Sequence, residues 1–66
     1  MSREGEFLIY CLEIYKSAKS LTGKEVYRLF SEYGVINYVE SYFEALHTTG
    51  ENYIIRDIDS YIEARK

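Results

Sequence analysis

Cys11 is the only cysteine in a chain of 66 residues, and these two facts together most restrict what the chain can become. A domain this short buries only about 60% of the surface its unfolded form exposes, so its stability is thin. Small domains escape with disulfides, a metal or a partner chain. One cysteine forms no disulfide within the chain. Cys11 and His47 are the only soft ligands, short of a tetrahedral zinc set. Close packing or a second polypeptide remains. A hydrophobic fraction of 47% with 29% charged residues is that of an ordinary globular domain.

The apolar residues fall into helical periods separated by glycine or threonine. From Arg3 to Ala18, the residues Phe7, Cys11, Ile14, Ala18 and Leu21 make one stripe, with Leu8, Leu12 and Tyr15 beside it. Ile9 lies among the polar positions of that segment. Thr22-Gly23-Lys24-Glu25 reads as a capping box opening a second helix. Val26, Leu29, Phe30 and Tyr33 form its inner stripe, and Gly34 is the left-handed residue that ends it. Val35-Ile36 is expected to be extended. Asn37 and Glu40 repeat the cap pattern before a third helix that Gly50 ends. Its inner face is expected to hold Tyr38, Val39, Tyr42, Phe43, Ala45 and Leu46. Tyr53-Ile54-Ile55 is β-branched and reads as a strand fragment, paired with Val35-Ile36 or with a second copy of the chain. Asp57 is expected to cap the last helix. The expectation is a single all-α domain over residues 1–66, a compact bundle of about four short helices with at most a vestigial β pair.

Charge is uneven. Residues 1–33 carry five Lys or Arg against five Asp or Glu, whereas residues 34–66 carry three against six. The C-terminal half therefore repels phosphate and favours a basic partner. The first residues, Met1 to Glu6, lack the basic region of a signal peptide, and no apolar run approaches a membrane span. A cytoplasmic protein away from the membrane is the expectation.

Several residues invite a chemical reading. Glu44 and His47 stand three apart, the spacing of di-iron bundles, but such a centre needs a second motif and two further carboxylates. His47 fits better as a last-turn residue at a helix end. Thr48-Thr49-Gly50 reads as a turn whose hydroxyls satisfy the last carbonyls, since no acid is placed to orient His47 as a base for a nucleophile. Cys11 lies mid-stripe as a small core residue. No catalytic, cofactor-binding or metal-binding residue is assigned. The helix meeting at Gly34 suits a helix-turn-helix module. The outer face of its third helix, however, carries Asn37, Glu40, Ser41, Glu44 and His47, with no lysine or arginine and with two carboxylates that repel a polyanion.

Eight tyrosines are more than a core this small can hide. Tyrosine suits a boundary, and it is enriched where proteins grip one another. Tyr10, Tyr27 and Tyr61 fall at the margins of their apolar arcs. With Ile9, Glu40, Glu44 and His47 they are the candidate partner-binding residues.

Phe7-Leu8-Ile9-Tyr10-Cys11, Thr22-Gly23-Lys24-Glu25-Val26-Tyr27, Leu46-His47-Thr48-Thr49-Gly50 and Asp57-Ile58-Asp59 with Tyr61-Ile62 together resemble a small bacterial family, the domain of unknown function thirty-seven ninety-one. The resemblance covers almost the whole chain. It implies an accessory or antitoxin-like partner for a neighbouring protein resembling ADP-ribosyltransferase toxins, and it carries no catalytic residues. The sequence therefore points to a non-enzymatic interaction module, without cofactor, whose partner is another protein of basic character or a second copy of the chain. A small helix-turn-helix domain, DNA-binding or transcription-associated, is the alternative.

Overall fold

The structure is a computed structural model, and it describes residues 2–66. Five α-helices follow one another: α1 Arg3–Lys19, α2 Gly23–Glu32, α3 Val35–Ser41, α4 Phe43–Leu46 and α5 Glu51–Arg65. Helix α1 packs on α2, α3 and α5, and α2 and α5 both pack on α3. No strand occurs among the described residues, so the architecture is all-helical and the β pair is absent.

Each helix begins and ends for a local reason. Ser2 caps α1 by accepting the Gly5 N–H at 3.0 Å. At its other end Ser20 turns left-handed, with φ 56°, and the Leu21 N–H closes back on the Lys16 carbonyl at 3.0 Å. The capping box of α2 forms as its sequence predicts: Thr22 Oγ1 accepts from Glu25 N–H at 3.1 Å, and Glu25 Oε1 accepts from Thr22 N–H at 2.8 Å. Gly34 is left-handed at φ 71°, as expected, but α3 starts directly after it. Val35 and Ile36 are therefore helical rather than extended, and Asn37 lies within α3 instead of capping it. Val35 and Val39, one turn apart, are both fully buried, and that pair draws the helix back to Gly34.

The third predicted helix breaks at Tyr42 into α3 and α4. The break turns Phe43 and Leu46 inward and leaves Tyr42 and Ala45 exposed, although one continuous helix would have placed all four together. Tyr53-Ile54-Ile55 is the other correction. It lies inside α5, which starts after Gly50, so Asp57 is mid-helix and caps nothing. Ile54, Ile58 and Ile62 recur every four residues and are all buried, and this helical period overrides the strand preference of three adjacent β-formers.

The core gathers Cys11, Ile14, Tyr15, Val26, Phe30, Val35, Val39, Ile54, Ile58 and Ile62. Phe30 is fully buried, and Tyr15 meets it edge-on at 5.4 Å between ring centres. Cys11 is buried within this cluster, as its place in the stripe predicts. Ala18, expected inside, is exposed near the end of α1.

Candidate functional site

Two aromatic rows reach the surface. The first runs where α3 meets α5. Tyr38 on α3 and Tyr42, the residue that ends it, stand one turn apart, and Tyr53, Asp57 and Tyr61 are spaced four apart on one face of α5. Tyr38 stacks on Tyr61 with ring centres 4.0 Å apart and planes 20° apart. Tyr42 lies 5.0 Å from Tyr38, and the Arg65 guanidinium sits 4.7 Å from the centre of the Tyr61 ring. The Tyr38 hydroxyl donates to Asp57 Oδ2 at 2.6 Å. Burial raises the Tyr38 hydroxyl well above its usual value, and the hydrogen bond and charge of Asp57 push it the same way, with Tyr42 and Tyr53 adding to the effect. Tyr42 and Tyr53 are 54% and 52% exposed.

The second row joins α1 to α4. Tyr10 lies 6.1 Å from Phe7, Phe7 meets Phe43 edge-on at 5.5 Å, and His47 stacks on Phe43 at 4.4 Å. The Arg3 guanidinium is 5.0 Å from the Phe43 ring centre. His47 Nδ1 is 2.8 Å from the Phe43 carbonyl. A carbonyl only accepts, so Nδ1 carries the proton and Nε2 faces away from that bond. Thr49 Oγ1 donates to the Leu46 carbonyl at 2.7 Å. The stretch from His47 to Gly50 is thus a helix end whose side chains satisfy terminal carbonyls, as its composition predicts. Among the described residues no three His, Cys, Asp or Glu side chains gather as a ligand set.

The seven candidate residues do not gather into one site. Ile9 and Tyr10 project from α1, 47% and 44% exposed, and Tyr10 and His47 belong to the second row. Tyr61 is half-buried in the first row. Tyr27, 60% exposed, lies with Lys24, Arg28, Ser31 and Glu32 along a shallow furrow. All five come from α2, so the furrow has no second wall. Glu40 and Glu44 are exposed on α3 and α4. The sequence places Tyr42 on an inner helix face and Tyr53 in a strand, so neither reads as a surface group from sequence alone. The spacing of Tyr53, Asp57 and Tyr61 was the available signal, legible once α5 is known to start at Glu51.

Charge follows the same division. Residues 29–55 contain no lysine or arginine, and Glu40, Glu44 and Glu51 are exposed there. No helix among the described residues is long and apolar enough to cross a membrane.

A family model described as "Protein of unknown function (DUF3791)" matches residues 6–65. The chain belongs to this family. The match spans all of α2 to α5 and most of α1, so both aromatic rows of this DUF3791 member, Arg3 excepted, lie inside the family region. No curated protein and no solved structure matches the chain.

Proposed function

We propose that this DUF3791 chain is a non-enzymatic interaction module that grips another protein through its exposed aromatic side chains and acidic residues. The observation that carries the reading is the pair Tyr42 and Tyr53, each more than half exposed beside the stacked Tyr38 and Tyr61. Large rings kept in water are a cost to a lone domain and an asset at an interface. The lysine-free and arginine-free stretch 29–55 favours a basic partner. The specific role proposed for the chain is cytoplasmic and accessory or antitoxin-like, beside a toxin-like ADP-ribosyltransferase. Co-expression of the tagged chain with its encoded neighbour tests this. Stable co-purification supports it, and lysine at both Glu40 and Glu44 should weaken the complex while leaving the fold intact. A neighbour that elutes alone at low salt removes the role.

One observation favours a second reading. Helices α2 and α3 are joined by only Tyr33 and Gly34, a tight helix-turn-helix connection. A DNA-binding domain would shift generic duplex in a gel at low salt and release it steeply as salt rises. The acidic exposed side chains of α3 and α4 weigh against it.

A further inference from the structure

We infer that the Tyr42–Tyr38–Tyr53 face, where α3 meets α5, docks an arginine-bearing segment of a partner protein. The inference rests on the interaction reading above and specifies its contact. One end of the row already holds the arrangement: Arg65 lies over Tyr61, and Tyr61 is stacked on Tyr38. At the other end Tyr42 and Tyr53 offer open rings, and among the described residues no cation of this chain sits over either. A guanidinium is planar and weakly hydrated, so it stacks on such a ring and still donates sideways to a carboxylate. Asp57 supplies that carboxylate within the row, oriented by the Tyr38 hydroxyl. Glu40, Glu44 and Glu51 are exposed on other positions of α3, α4 and α5, and residues 29–55 hold no lysine or arginine, so Asp57 is the acidic group of the row and no basic side chain of that stretch competes for it. A polyanion is repelled here. A purely apolar segment would bring no charge to Asp57, whose Oδ2 accepts from a neutral hydroxyl. The ring edges and carboxylates together suit a protein segment that brings arginine.

The probe is an octapeptide of alternating glycine and arginine, titrated into the labelled chain while tyrosine-ring signals are followed by NMR. Versions with lysine or citrulline in place of arginine separate charge from planarity. Arginine peptide should shift the Tyr42 and Tyr53 signals saturably, ahead of Tyr10 and Tyr27 on other helices. Lysine peptide should bind more weakly, and uncharged citrulline peptide should hardly bind. Tyr42→Ala should weaken the arginine peptide about fivefold. Tyr42→Phe keeps the ring and should stay within about twofold, which also shows that position 42 tolerates change. Shifts that never saturate, or that fall equally on all four tyrosines, overturn the inference. So does concentration-dependent broadening of Tyr42 and Tyr53 without peptide, because a second copy then covers the face. If the peptide leaves the face untouched while the encoded neighbour still co-purifies, this contact is wrong and the interaction reading stands. If the neighbour fails to co-purify but the peptide titrates Tyr42 and Tyr53, the face is upheld and that partner is not its ligand.

Discussion

The Tyr15 hydroxyl donates to Asp59 Oδ1 at 2.6 Å, tying α1 to α5 across 44 residues of sequence. Lys19 Nζ takes the other carboxylate oxygen at 2.7 Å, so both oxygens of Asp59 are engaged by α1. Tyr15 is a core ring with its one polar atom at the rim, and Asp59 answers that atom.

Tyr15→Phe keeps the ring and removes the bond. We expect a loss of about 1 kcal/mol by urea denaturation at neutral pH. Burial, followed by the hydrogen bond and charge of Asp59, raises the Tyr15 hydroxyl above its ordinary value. A raised group contributes fully below the unfolded value, about pH 10, and its contribution is lost as pH climbs through the folded value. The gap between the parent and Tyr15→Phe should therefore narrow in strong alkali.

Asp59 gives the opposite limb. Burial alone would raise its carboxyl, but the hydrogen bonds from Lys19 and Tyr15 and the charge of Lys19 outweigh burial and hold it below the usual range. Such a group contributes above the unfolded value, near pH 4, and loses its contribution as pH falls through the folded one. Asp59→Asn should be less stable than the parent at pH 7 by under about 1 kcal/mol, because the pair is part-exposed. The two should converge in acid, as read by thermal melts across pH.

Ser20 and Gly34 both sit in the left-handed region, at φ 56° and 71°. Ser20→Gly should stabilise the chain by about 0.5–1 kcal/mol, since the strain of a side chain there is relieved. Gly34→Ala should cost about 1–2 kcal/mol. The added methyl meets nothing closer than the Tyr61 hydroxyl at 4.0 Å, so the cost is in the backbone. Denaturation midpoints should move in opposite directions.

Cys11 is fully buried, and burial pushes its thiol up to about 12. A disulfide reagent at pH 8 should label it only as fast as the domain opens. Labelling should speed up with sub-denaturing urea. Fast labelling in the folded chain would show that the α1 stripe is not closed.

Much of this fold is legible in the sequence, because the signals are local. The Thr22 capping box, the left-handed Gly34 and the stripe through Cys11 and Ile14 act within one helix. The failures share a cause. Tyr53-Ile54-Ile55 resembles a strand when read alone, and only the four-residue recurrence of Ile54, Ile58 and Ile62 places it in a helix. Tyr42 reads as buried under an unbroken period, and the break that exposes it depends on Phe43 turning in to meet Phe7 on α1. The surface row is hidden for a similar reason: Tyr53 and Tyr61 join Tyr38 only through contact between α3 and α5. By contrast Tyr61 reads from the sequence as lying at the margin of its own helix, and it is half-buried there.

Helix α1 touches α2, α3 and α5, and α5 is the last of the five to leave the ribosome. Until residues 51–65 have emerged, Cys11 and Ile14 lack the isoleucines that close over them and Tyr15 lacks its carboxylate. The nascent helices are then left to find any other apolar cover at hand, so a co-translational chaperone or an already folded binding protein would meet this chain at its stickiest moment.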